Sequence, residues 1–276
     1  MVASVPELAN RQRGRPQRRA SSPATTIASF NDLDSVARLL NAHEGEIAGM
    51  IVEPIMMNAG IIPPLPGYLA GLRDLLHAHG ALLTFDEVKT GLTVGPGGVT
   101  AASGVAPDLV CLAKSLGGGV AVAAVGGGAG VMEHVASGGY EMVGTFNGNP
   151  LAMAAARAML TEVATDAAYQ RIEGLRVRAA DGIGAVIDEF GMNGRVVTAG
   201  AKGCVVFGAG EVRDYREFLA IDDSMSHAHW LFQHNGGVFL PPWGKVEQWL
   251  ISVQHDESDI NQLVTNFRSF AAAVSA

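Results

Sequence analysis

Apolar positions first fall into a helical rhythm at residues 31–40, NDLDSVARLL, where Leu33, Val36, Ala37 and Leu40 share one face behind Asn31, a residue suited to capping. The run EIAGMIVEP at 46–54 is short and continuously apolar, which predicts a fully buried parallel strand ending at Glu53 and Pro54. At 65–80, Leu65, Leu69, Leu72, Leu75 and Leu76 mark a second helical stripe, stopped by Gly80. ALLTFDEV (81–88), PDLVCLAK (107–114) and VAVAAVGG (120–127) read as further strands separated by glycine-rich loops, with a helix near VMEHVA. Strands alternating with helices predict an α/β fold with a mostly parallel sheet and helices on both faces. Ligands of such sheets gather at the carboxyl ends of strands, where Asp86 and Lys114 fall.

From Pro150 a run of good helix formers predicts one long helix reaching the 170s. Beyond about residue 185 the pattern changes to short strands (RVVTAG, GCVVFG, GVFLPP, WLISVQ) interleaved with helices. The last helix places Ile260, Leu263, Val264, Phe267 and Phe270 at core spacing. This predicts a second, smaller α/β domain. The expected division is a basic tail at 1–26, a partial cofactor-binding large domain at 27–165, and a linking helix with the C-terminal domain at 166–276.

Composition narrows the class. With 276 residues, 48% of them apolar, the chain can bury a substantial core. A formal charge of −8 argues against a protein built to hold nucleic acid, which needs a cationic face. The local exception is RQRGRPQRR at 11–19, read as a solvated, disordered tail. No apolar run is long enough for a membrane helix and no secretory apolar stretch opens the chain, so a cytoplasmic protein without a membrane partner is expected. Cys111 and Cys204, each inside an apolar run, read as buried thiols of a reducing compartment.

Three positions invite chemistry. A lysine ending an apolar strand is costly to desolvate, and burial would favour the neutral amine that attacks aldehydes; Lys114 is then a Schiff-base candidate, or it snorkels to solvent. Asp86 could stabilise a protonated pyridine nitrogen, or cap a loop. Gly144, Thr145 and Gly148, ahead of a helix opening at Pro150, could cradle a phosphate or simply make the turn. His227, His229 and His234 do not share one helix face, and no metal site is expected.

Taken together and in order, EPIMMNAG, PLPGYLAGLRDLLHAHGALLTFDEVKTG, GVAPDLVCLAKSLGGG, GGGAGVMEHV and GTFNGNPLAMAA resemble the signature of the class III pyridoxal-phosphate-dependent aminotransferases. The likeness is nearest to their glutamate-1-semialdehyde 2,1-aminomutase branch. It runs strongly over residues 27–165 and loosely over 190–270, with the family's N-terminal third missing. The resemblance implies an incomplete type I, aspartate-aminotransferase-like fold and pyridoxal 5′-phosphate as cofactor. It implies that Lys114 carries the cofactor covalently, Asp86 meets the pyridine nitrogen, Val88 packs on the ring, and Gly144 and Thr145 reach the phosphate across a homodimer. By the same resemblance Glu247, eight residues before His255, would face a small amino-acid or amino-aldehyde substrate. An active aminomutase or transaminase is expected; the alternative is a truncated, catalytically silent member that folds partly or with a partner chain.

Overall fold

The computed structural model describes residues 2–4, 25–208, 210–241 and 244–275. The arginine-rich stretch 11–19 lies outside the described residues. The chain divides into two compact units, one of Met1–Pro54, Pro64–Lys89 and Val99–Ala156, the other of Ile55–Pro63, Thr90–Gly98 and Arg157–Ala276.

The first unit holds a six-stranded sheet of β1 (Val2–Ser4), β2 (Thr25–Thr26), β3 (Ile47–Val52), β4 (Leu82–Asp86), β5 (Leu109–Leu112) and β6 (Ala124–Gly127), ordered β2-β1-β3-β4-β5-β6. β3, β4 and β5 run parallel; β1 pairs antiparallel with β2 and β3, and β6 antiparallel with β5. Leu83 and Phe85 in the central strand are fully buried, as alternation against a covered face requires. β3 departs from the expected full burial, with Ile51 38% exposed, so one of its faces is open to solvent. β6 is shorter than expected and begins only at Ala124; residue 120 is a bend and 121–123 are irregular.

Helix α1 (Leu33–Ala42) is capped by Asp32, whose side chain accepts from Ser35 N–H at 2.8 Å. This corrects the expected Asn31 cap: Asn31 sits at φ 61° and its Oδ1 accepts from Leu65 N–H at 2.8 Å instead. That anchor keeps Leu65 outside α2 (Tyr68–Ala78), which starts after Gly67 at φ 81°. Asp108 sets the strand register. Its N–H donates to Leu83 O at 2.9 Å, its carboxylate accepts from Leu83 N–H at 2.7 Å, and its carbonyl accepts from Gly128 N–H at 3.0 Å. Three more helices follow: α3 (Gly98–Ser103), α4 (Ala129–Ala136) and α5 (Pro150–Ala158).

The single long helix expected from Pro150 is broken. After α5 a π-helical turn covers Met159–Val163, and a new helix, α6 (Asp166–Glu189), starts with Thr165 accepting from Ala168 N–H at 3.2 Å. Thr165 competes for the backbone and restarts the helix. In the second unit β7 (Gly194–Ala199), β8 (Lys202–Phe207) and β9 (Gln248–Leu250) form an antiparallel sheet, with α7 (Tyr215–Leu219), α8 (Ser224–Asn235) and α9 (Glu257–Val274). GVFLPP forms no strand, and WLISVQ is a strand only at its start. Ile260, Leu263, Phe267 and Phe270 of α9 are buried against α6 and β8, and α9 opens with a reciprocal capping box of Asp256 and Asp259. Among the described residues no helix is long and apolar enough to cross a membrane.

Candidate active site

Register decides what meets at the carboxyl end of the parallel strands. Val52 pairs with Phe85 and Asp86 with Cys111, so Glu53, Asp86 and the segment after Leu112 leave the sheet at one edge. Asp86 is half-buried, and its Oδ1 accepts from Val88 N–H at 3.1 Å. Burial, and then the negative charge of Asp86, push the Cys111 thiol above its ordinary range. Burial likewise holds the Lys89 ammonium low; the Glu53 carboxylate opposes this and the Lys114 ammonium adds to it. Asp86 acts on Cys111, and Glu53 and Lys114 act on Lys89, two electrostatic groups within the first unit.

Lys114 has an unusual backbone. Among the described residues it and Asn31 are the non-glycine positions with positive φ, Lys114 at 50°. It opens a 3-10 turn, Lys114–Gly117, closed by Leu116 N–H donating to Ala113 O at 3.1 Å and Gly118 N–H to Ser115 O at 3.1 Å. The glycines that follow are needed: a Cβ on Gly117 would come within 2.7 Å of Val122 Cγ1, and Gly119 sits at φ 108°. A side chain held in the left-handed region costs about 1–3 kcal/mol, and such strain clusters at functional positions. The expectation that Lys114 ends a strand and is buried is corrected. β5 stops at Leu112, and Lys114 is exposed because the turn lifts it off the sheet edge.

Glu87 went unnoticed in the sequence, and Cys111, expected to be buried, is half-buried. Glu87 is 2% exposed, and its carboxylate accepts from Val99 N–H at 2.8 Å, Thr100 N–H at 2.8 Å and Thr100 Oγ1–H at 2.6 Å. The only signal was the adjacent acidic pair Asp86-Glu87, which looks like a strand end turning to solvent.

The other expected residues lie outside the three parallel strands. Gly144 and Thr145 lie on an exposed turn in which Asn147 N–H donates to Gly144 O at 3.0 Å. Asn149 Oδ1 then caps α5 through Ala152 N–H at 2.9 Å. Val88, half-buried, contributes its N–H to Asp86. Glu247 belongs to the second unit and is 3% exposed, with Oε1 accepting from Gly244 N–H at 2.9 Å. Burial raises its carboxyl pKa, against the pull of that N–H and of His227. Among the described residues no three His, Cys, Asp or Glu side chains are grouped to hold a metal ion.

Residues 3–212 match the family model described as aminotransferase class-III. The chain is 40% identical over 239 residues to the glutamate-1-semialdehyde 2,1-aminomutase of Salinibacter ruber, covering 86% of this chain and 54% of that protein. Among solved structures, an omega-transaminase from Sphaerobacter thermophilus superposes with a TM-score of 0.83 at 28% identity, over 93% of this chain and 60% of the other. A glutamate-1-semialdehyde-aminomutase from Pseudomonas aeruginosa PAO1, solved in complex with PMP, gives a TM-score of 0.81 at 28% identity, over 94% and 60%. The chain thus spans about half the length of the curated relatives it matches, at 54% of the Salinibacter protein.

Proposed function

The chain belongs to the class III aminotransferases, and from that membership we propose that it binds pyridoxal 5′-phosphate and transfers an amino group, as an aminomutase or transaminase of the glutamate-1-semialdehyde aminomutase type. The observation that carries this reading is Lys114 at φ 50°, an amine on a strained turn just past β5, the parallel neighbour of the strand that Asp86 ends. When bound, the cofactor would supply an electron sink for the bonds around the substrate's amine-bearing carbon. The residues present fit it: an amine to hold its aldehyde, a carboxylate for its ring nitrogen, and Val88 beside that carboxylate to pack on the ring. In this reading the exposed amine of Lys114 would also hold and pass on a proton at its Nζ. Gly144 and Thr145 serve the phosphate of a second copy, and Glu247 faces a small amino-acid or amino-aldehyde substrate.

The homodimer is supported by the run Tyr140, Met142, Val143, Phe146, Leu151 and Met153, whose side chains are 43% to 80% exposed. Cys111 and Cys204, both free thiols, support a cytoplasmic setting. The same exposed run favours a second reading, a catalytically silent member that requires a partner chain.

Addition of pyridoxal 5′-phosphate to the purified chain tests the first reading. A new absorption band near the visible should form, borohydride should fix the cofactor on Lys114, and Lys114→Ala should remove both signals while leaving the far-ultraviolet circular dichroism unchanged. Absence of the band in the folded wild-type chain supports the silent reading.

A further inference from the structure

Resting on that reading, we propose that Glu87 is a positioning residue that fixes the direction of the Asp86 carboxylate. Glu87 is held at both ends. Its main-chain N–H donates to Cys111 O at 3.0 Å, continuing the β4–β5 ladder one residue past Asp86. Its side chain takes the three donors of Val99 and Thr100, at 2.6 to 2.8 Å, where the chain re-enters after the glycine-rich excursion 88–98. The excursion is therefore clipped at its neck. Val88, the first residue of that excursion, gives its N–H to Asp86 Oδ1 at 3.1 Å. Turning the Asp86 carboxylate breaks its bond to the Val88 N–H, and the clip at Glu87 holds the chain that presents that N–H. A carboxylate 2% exposed must be satisfied to remain buried. The donors of Val99 and Thr100 are neutral groups on one short stretch, and the Glu87 carboxylate fixes that stretch.

The chemistry of replacement is specific. Glutamine has the shape of Glu87 but only one acceptor oxygen, so Glu87→Gln turns an amide donor toward a backbone N–H or the Thr100 hydroxyl. Thr100→Val removes the hydroxyl donor alone, and Thr100→Ser keeps it. Two quantities are to be measured on the full chain with pyridoxal 5′-phosphate: its dissociation constant, and the pH midpoint of its absorption change, which reports the charge facing the ring nitrogen.

Glu87→Gln should weaken cofactor binding about tenfold, the effect of losing one hydrogen bond to a charged group. It should also move the midpoint in the same direction as Asp86→Asn. Thr100→Val should do the same to a lesser degree, with Thr100→Ser matching wild type. A wild type that responds to Asp86→Asn while Thr100→Val and any folded Glu87→Gln protein keep wild-type midpoint and affinity overturns this inference alone, even if their melting temperatures fall. Should Glu87→Gln not fold, the two Thr100 variants decide by the same criterion. A folded wild type that takes up no cofactor overturns the functional reading, and this inference with it.

Discussion

At the scale of single residues, contact distances set what each position tolerates. Gly203 lies under the Trp249 indole, and a Cβ there would stand 2.2 Å from the ring carbon Cζ2. Trp249 is 4% exposed and cannot swing away without opening the core of the second unit. Gly203→Ala should therefore destabilise the protein by about 1–3 kcal/mol, the usual cost of overpacking, read as a lower urea midpoint at unchanged slope. An unchanged midpoint would show that the ring has room to slide. The place of Asp86 at the end of β4 was legible because it ends an apolar run, a pattern visible in one dimension, whereas the 3-10 turn that carries Lys114 past β5 was not. The burial of Glu87 was not, since its partners are Val99 and Thr100, beyond a glycine-rich loop whose path no local rule gives. The choice of Asp32 over Asn31 as a cap was equally hidden, because it depends on a bond to Leu65 formed only after folding.

At the scale of elements, helices with a strong apolar stripe were read closely, and breaks and short edges were not. α9 was legible down to its core residues. The restart at Thr165 was not, because a single competing side chain outweighs a run of good formers. α8 carries a polar centre that its sequence disguises as a metal-like histidine cluster. His229 is 1% exposed among Phe207, Phe267 and Phe270, and Gln233 Nε2 donates to its Nε2 at 3.1 Å. The same Nε2 donates to Leu263 O at 2.9 Å, while Gln233 Oε1 accepts from Asn266 Nδ2 at 3.2 Å, so this glutamine has its amide nitrogen toward His229. The imidazole must then accept, which only its neutral form can do. Burial lowers its pKa from 6.5 to about 4. A depressed histidine leaves the unfolded chain binding the extra proton first. Stability is thus complete above about pH 6.5 and falls as pH drops toward about 4, where the loss levels off. The shift corresponds to about 3 kcal/mol at most. Urea midpoints from pH 7 to 4 should show this decline, flattened in folded His229→Gln protein; equal slopes in the two would remove His229 as the cause.

At the scale of the whole molecule, family and fold class were legible because several motifs keep one order, while a homodimer was implied only by the resemblance, because no period in the sequence marks a surface for a second copy. An apolar run that folding leaves outside is where a second copy could be tested. Val143 and Phe146 are 79% and 80% exposed on the turn that carries Thr145, and that turn is tied down rather than loose: Asn147 Nδ2 donates to Met142 O at 3.4 Å and Asn149 Nδ2 to Phe146 O at 3.0 Å. An ordered loop displaying large apolar side chains is the form a protein interaction site takes. Because these side chains make little contact within the chain, Val143→Ser with Phe146→Ser should change its own stability by no more than about 0.5 kcal/mol each. If a second copy covers them, the double variant should sediment as a monomer at concentrations where wild type is a dimer, with the same circular dichroism. It should also bind pyridoxal 5′-phosphate more weakly, since Thr145 would lose its place beside the other copy's phosphate. A variant that loses the dimer but keeps full cofactor affinity would separate assembly from the site and confine Thr145 to making its turn. A variant that sediments as wild type does would move the interface elsewhere on the surface.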